Sequence, residues 1–127
     1  MGVLGIGIDL LHIPRFRAVL ARRGPTKMVQ RILTAKERDE YLTLREDAHR
    51  LRFLGVRWAV KEAAYKALYP SFRLTWKDLS FTREGASPKP ILNLESPTPG
   101  NPHLKMHASV SHDGEYIIAQ VLAEHLP

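Results

Sequence analysis

R-W-A-V-K-E-A-A-Y-K-A-L-Y, Arg57 to Tyr69, has no glycine or proline and three alanines from Ala63 to Ala67, so its propensity is helical throughout. Trp58, Glu62, Tyr65 and Tyr69 recur at i, i+4, i+7 and i+11 and share one stripe, with Lys66 beside it. Phe53, Val56, Val60, Ala63 and Ala67 make a second apolar stripe roughly opposite. A helix apolar on two sides reads as buried, which sets Glu62 among aromatic rings. A buried carboxylate without a partner is costly and tends to take up a proton. Glu62 therefore needs a cation, either a lysine or a metal. Taken alone, Glu62 and Lys66 are an ordinary i, i+4 pair worth about 0.3 kcal/mol; the rest of the chain decides whether they are more.

Working outward toward the N-terminus, Val3 to Leu11 (V-L-G-I-G-I-D-L-L) alternates large and small residues and reads as a strand, not as a signal peptide. Leu4, Ile6, Ile8 and Leu10 form the expected core face; Val3, Gly5, Gly7 and Asp9 form the other, with open space beside Asp9 for a ligand or another backbone. Pro14 opens a helix running to about Arg23, whose basic residues are Arg15, Arg17, Arg22 and Arg23. That face is either simply solvated or a docking surface for an acidic protein. A second helix is expected over Lys27 to Ile32. Thr34-Ala35-Lys36-Glu37 has capping-box spacing and should start a third, running to about Glu46, which explains Glu37 structurally. His49, Arg50 and Arg52 lead into the long helix that carries Arg57, a cluster whose free amides and charges would suit a phosphate.

Beyond Pro70 the period becomes alternating. Leu79 to Thr82, Ile91 to Leu94 and Lys105 to Ser111 read as strands, with Ser96 to Pro102 as a mobile loop. Asp113-Gly114 marks a tight turn and Tyr116 to Leu122 the return strand, a hairpin that presents Ser111 and His112 at its mouth. The 127 residues suit one domain, 1–127, and no apolar run approaches the ~20 residues of a bilayer span. The absence of cysteine excludes disulfides and thiolate metal sites. A net charge of +6 points to an anionic partner: nucleic acid, a phosphorylated small molecule or an acidic protein.

Three elements thus converge: a strand bearing Asp9, a helix bearing Glu62 and Lys66, and a hairpin bearing Ser111 and His112. Two hard carboxylates without cysteine or paired histidines favour Mg²⁺, which commonly shares its coordination with substrate phosphates and water. With lysine nearby, the fitting chemistry is phosphoryl-type transfer.

G-I-G-I-D at Gly5 to Asp9, P-R-F at Pro14 to Phe16, R-I-L-T-A-K-E at Arg31 to Glu37, R-W-A-V-K-E-A-A-Y-K-A at Arg57 to Ala67 and S-V-S-H-D at Ser109 to Asp113 closely resemble the 4'-phosphopantetheinyl transferase superfamily. Their order and the short chain resemble its single-domain holo-[acyl-carrier-protein] synthase branch. The resemblance implies an α+β fold in which a small antiparallel sheet wraps around a long central helix. It implies Mg²⁺-dependent transfer of 4'-phosphopantetheine from coenzyme A to a serine of an apo acyl-carrier protein, releasing adenosine 3',5'-bisphosphate. Asp9 and Glu62 would hold the metal against the diphosphate, and Lys66 would stabilise or protonate the leaving phosphate. Arg57 and His112 would bind nucleotide phosphates, with Ser111 beside His112 and help from His49 or Arg50. Arg15 and Arg22 would dock the carrier protein. Whether a metal-bound water or a carboxylate deprotonates the serine stays open.

The same resemblance implies a homotrimer with sites between subunits, and cytoplasm, or the mitochondrial matrix in a eukaryote, as the compartment. It implies neither nucleic acid nor membrane as a partner. Two departures stand out: His12 replaces an acidic residue common in relatives, and Tyr69-Pro70-Ser71-Phe72-Arg73 replaces a glycine-containing loop. The alternative reading is a small RNA-binding domain, which explains the charge but leaves Asp9 and Glu62 without a role.

Overall fold

The computed structural model describes residues 2–95 and 103–126; the Ser96 to Pro102 segment, expected as a mobile loop, lies outside them. In chain order the elements are β1 (Gly2–His12), α1 (Ile13–Arg23), α2 (Pro25–Ile32), α3 (Ala35–Leu42), α4 (Asp47–Leu68), β2 (Leu79–Thr82), β3 (Ile91–Leu94), β4 (Leu104–Asp113) and β5 (Tyr116–His125). A single turn of 3₁₀ helix, Trp76–Asp78, precedes β2. The fold is α+β, as expected. An antiparallel sheet of order β1-β5-β4 packs on the long helix α4, and β2 and β3 pair separately.

Helix α4 is longer than its alanine-rich half suggested. It starts at Asp47, so His49, Arg50 and Arg52 lie on it and Arg57 is in its third turn, not at its amide-rich start. The inner stripe behaves as read: Phe53, Val60, Ala63 and Ala67 are buried and Val56 is half-buried. The Thr34–Glu37 capping box is present, with Glu37 N donating to Thr34 Oγ1 and Thr34 N donating to Glu37 Oε1. Helix α3 ends at Leu42, however, several residues short of Glu46. The Arg50 guanidinium donates to the Leu44 carbonyl at 2.8 Å and holds that segment as a connection into α4. The β4–β5 hairpin turns through Gly114, whose φ of 54° suits glycine.

The polarity of β1 reverses the expectation. Ile6, Ile8 and Leu10 are 59%, 55% and 63% exposed, whereas Gly7 is buried. The glycine face, not the isoleucine face, meets α4. A β-carbon on Gly5 would stand 1.9 Å from the Ala67 carbonyl oxygen, and one on Gly7 would stand 1.8 Å from that of Ala63. The small residues are the contact itself: glycine on the strand against alanine on the helix brings two backbones together. What read as open space beside Asp9 is filled by the helix. Among the described residues no helix is long and apolar enough to cross a membrane.

Candidate active site

Because β1 lies so close to α4, Asp9, two residues beyond Gly7 on the same face, reaches the helix stripe that carries Glu62 and Lys66. Lys66 Nζ donates to the Ile8 carbonyl at 2.9 Å and lies 3.4 Å from Asp9 Oδ1. Burial raises the Asp9 carboxyl above the usual aspartate range, an effect that Lys66 opposes. Glu62 is raised too, first by burial and then by the Asp9 charge, again against Lys66. Two carboxylates that feel each other, with one lysine offsetting them, are a site short of positive charge.

Among the described residues, no further His, Asp or Glu joins them to make a three-ligand cluster. Two hard oxygen ligands, half-buried and mutually repelling, fit a divalent cation that fills its remaining positions with phosphate oxygens and water. Their setting is less enclosed than the two-stripe reading implied. Glu62 is half-buried, and Tyr65 and Tyr69 are exposed, because nothing among the described residues covers that side of α4.

Two depressions flank the carboxylates. One, about 350 Å³, is lined by Glu62 with Arg31, Lys61, Tyr65, Thr75 and Trp76 among others. The second, about 370 Å³, runs from Asp9 past His12, Arg15, Phe16, Val19, Arg23 and Trp58. Trp58 packs against Phe16 and Trp76, with centroids 5.5 and 4.8 Å away, and so forms the ridge between them. Arg15 therefore faces the Asp9 side, and Arg22 is exposed about two turns further along α1. His12 sits 3.4 Å from Glu115, so the hairpin brings a carboxylate to the position where the sequence has a histidine.

Other expected residues lie elsewhere in this chain. Arg57 is buried in the core: Nε and Nη2 donate to the Phe81 carbonyl at 3.1 and 3.0 Å, and the guanidinium lies 3.6 Å over the Phe53 ring. Burial lowers its pKa to about 10, against the pull of Glu40 and Glu37, so it stays charged at neutral pH. A rotation of 100° per residue turns Arg57 away from the Glu62 stripe, and with His49, Arg52 and Arg83 it lines a separate depression of about 370 Å³. His49 pairs loosely with Glu46 at 3.7 Å, and Arg50 is occupied by the Leu44 carbonyl and the Tyr41 ring. Ser111 and His112 are exposed at the end of β4, across β5 from β1, so within one chain they do not meet Asp9.

Two residues of weight had no role in the sequence reading. Lys61 is buried and donates to Glu37 Oε1 at 2.5 Å, to the Ile32 carbonyl at 2.6 Å and to that of Trp76 at 2.9 Å. Glu37 also accepts from Phe81 N, so this pair ties α2, α3, α4 and β2 together. Arg31 faces Glu62 across the smaller depression. Its place inside R-I-L-T-A-K-E was the available signal.

The 4'-phosphopantetheinyl transferase superfamily model matches residues 5–121. A holo-[acyl-carrier-protein] synthase of Exiguobacterium sibiricum is 36% identical over 124 residues, covering 96% of this chain and 89% of that one. One from Anaplasma phagocytophilum is 37% identical over 121 residues, 94% and 96% of the two chains. Among solved structures, the holo-(acyl-carrier-protein) synthase of Bacillus anthracis in complex with coenzyme A (3',5'-ADP) superposes with a TM-score of 0.78 at 30% identity, covering 98% of each chain.

Proposed function

Since the chain belongs to the 4'-phosphopantetheinyl transferase superfamily, in its holo-[acyl-carrier-protein] synthase branch, we propose that Asp9, Glu62 and Lys66 are the working parts of its active site. The chain is a transferase of this class: it moves 4'-phosphopantetheine from coenzyme A to a serine of an apo acyl-carrier protein and releases adenosine 3',5'-bisphosphate. The observation that carries the site assignment is the convergence of two half-buried carboxylates and one lysine where β1 crosses α4.

Asp9 and Glu62 would hold Mg²⁺, which supplies charge neutralisation and orientation to a bound diphosphate. Lys66, fixed by the Ile8 carbonyl, keeps its ammonium at the point where charge grows on the leaving phosphate. Arg31 faces the same space and adds a second cation for the diphosphate. Trp58 and its partners Phe16 and Trp76 wall the two depressions apart and limit water at the carboxylates. Arg15, on the Asp9 side, and Arg22 beyond it present positive charge to the carrier protein, a reading supported by the clustering of arginines on α1.

The working unit is a homotrimer of single-domain chains. Ile6, Ile8, Leu10 and Ile118 form an exposed apolar sheet face that a second copy would cover. The distance of Ser111 and His112 from Asp9 in the same chain supports a site completed by a neighbour's hairpin. Cytoplasm, or the mitochondrial matrix in a eukaryote, is the compartment that suits a cysteine-free enzyme of this class.

Mass spectrometry tests the reading. An apo carrier protein incubated with this chain, coenzyme A and Mg²⁺ gains the mass of one phosphopantetheine group, and the gain disappears with EDTA. An unmodified carrier under those conditions would refute the activity; transfer indifferent to EDTA would refute the metal site.

A further inference from the structure

The roomiest hollow among the described residues lies away from the carboxylates, where α1, α2, α3 and the start of α4 meet. It holds about 700 Å³, against about 350 and 370 Å³ for the depressions beside Glu62 and Asp9, and it shares no lining residue with either. Nor does it share one with the depression that contains Arg57. Its floor is hydrocarbon: Leu20, Val29 and Leu54 are buried and Leu51 is half-buried. Leu42 stands at its edge, 60% exposed. Three guanidiniums, of Arg17, Arg38 and Arg50, line it with one acid, Asp47. Asp47 lies in the first turn of α4, where free amides answer its charge. Arg50 is committed to the Leu44 carbonyl and the Tyr41 ring. Arg17 and Arg38 are exposed, and neither pairs with an acid among the described residues.

We propose that this hollow is a second binding site, for an aliphatic carboxylate: a fatty acid whose chain lies on the leucines and whose head group meets Arg17 and Arg38. Size supports it, because about 700 Å³ falls in the range that encloses one small molecule. Chemistry supports it as well. An apolar floor with a few charged groups at one side matches a ligand that is hydrocarbon along its length and anionic at one end. The guanidinium fork accepts a carboxylate's two oxygens together, and two such forks without acid partners leave positive charge to be met. A nucleotide suits the hollow poorly, since its single aromatic ring, Tyr41, is already engaged by Arg50. The site is independent of the transfer reaction, because Asp9, Glu62 and Lys66 take no part in it.

The test titrates the intact protein with octanoate, decanoate and dodecanoate, each below its micelle concentration, in a calorimeter. Each chain binds one molecule, and affinity rises roughly two- to fourfold per added methylene, the gain for a hydrocarbon group buried in part or in full. Dodecyltrimethylammonium, equally apolar but positive, binds at least about fivefold more weakly than dodecanoate. Arg38→Glu weakens dodecanoate by a similar factor and does not weaken the cation. Leu42→Gln weakens all three carboxylates. Both substitutions are at exposed positions, so they leave the core intact. Saturating coenzyme A leaves the affinity for dodecanoate unchanged, and light scattering gives the same subunit count for Leu42→Gln as for wild type. Absence of saturable binding, equal affinity for the two head groups, or wild-type affinity for dodecanoate in Arg38→Glu would overturn the site. Displacement by coenzyme A would place the ligand in the donor site instead, and a lower subunit count in Leu42→Gln would make this face a contact between copies; either result would overturn the assignment.

Discussion

Replacing Gly7 by alanine is the sharpest perturbation of the link between fold and site. The added β-carbon would stand 1.8 Å from the Ala63 oxygen, 2.8 Å from its carbonyl carbon and 2.9 Å from Ala67 N. All three are backbone atoms of a buried helix and cannot swing aside. Strand and helix must therefore part by more than about an ångström to restore normal contact. Overpacking of a core ordinarily costs 1–3 kcal/mol, and a clash against rigid backbone belongs at the upper end, about 3 kcal/mol. For a chain of this length that lowers the melting temperature by roughly 10 °C. The same displacement carries Asp9 away from Glu62. A misplacement of about 1 Å in a catalytic geometry lowers kcat/KM on the order of 10²-fold. Thermal unfolding and a carrier-protein transfer assay are read side by side, with Gly2→Ala as control, since nothing lies within 4 Å of that position. Gly7→Ala with wild-type melting and wild-type kcat/KM would show that β1 and α4 are not in backbone contact and that the route from glycine to active site is wrong.

Glu62→Gln should lower transfer roughly 10²- to 10³-fold yet raise the melting temperature of the metal-free protein. The sign follows from linkage: a carboxyl raised in the folded state adds stability below the ordinary glutamate range and loses it as pH rises through its folded value, so the gain from glutamine appears at neutral pH and vanishes in acid. A melting curve lower than wild type at neutral pH would contradict this. Lys61→Ala, by contrast, leaves the Glu37 carboxylate buried without its cation and should cost about 3–5 kcal/mol in urea unfolding; a loss below about 1 kcal/mol would mean that the pair does not tie these elements together. Arg15→Glu should raise the Michaelis constant for the carrier protein roughly tenfold while leaving that for coenzyme A nearly unchanged, and equal effects on both would remove α1 from the docking surface. Ile8→Glu places a charge on the exposed sheet face and should convert the proposed trimer to monomers by light scattering, with transfer lost in parallel; active monomers would argue that each chain holds a complete site.

Legibility in the sequence followed the kind of signal each residue carries. The capping box, the hairpin and α4 rest on local rules, since turn glycine, side-chain capping and helical period act within a few residues. Asp9 and Glu62 were legible because a carboxylate in an apolar run calls for a counter-charge wherever it lies. The facing of β1 was not. Alternation identifies two faces of a strand, but size alone assigned the isoleucines to the core, and two glycines opposite two alanines made the tighter contact. Ile6 and Ile8 then remain apolar and outward, a pattern that suits a second copy of the chain and so lies beyond any argument confined to one. The direction of Arg57 was not legible for another reason. A guanidinium at the centre of a family motif reads equally well as a phosphate ligand or as a core strut, and where it lies depends on Phe53 and Phe81, which are distant in sequence from each other.

Helix α4 carries two acid–lysine pairs, and comparing them explains why one is structure and the other chemistry. Lys61 is fully committed: three oxygens accept from its ammonium, and Glu37 in turn accepts from the backbone of Phe81 and Thr34. Every charge there has a partner, and burial, which lowers the Lys61 pKa, is offset by Glu37. Five residues later, Lys66 serves two carboxylates at once, approaches only one of them, at 3.4 Å, and is half exposed. Both carboxyls are raised because that single ammonium does not compensate for burying them. A satisfied pair has nothing further to bind, whereas an unsatisfied one is stabilised by whatever brings positive charge, and then by the phosphates that positive charge attracts. On the proposed reading, the residual electrostatic cost at Asp9 and Glu62 would be what gives the site affinity for a divalent ion and a diphosphate together.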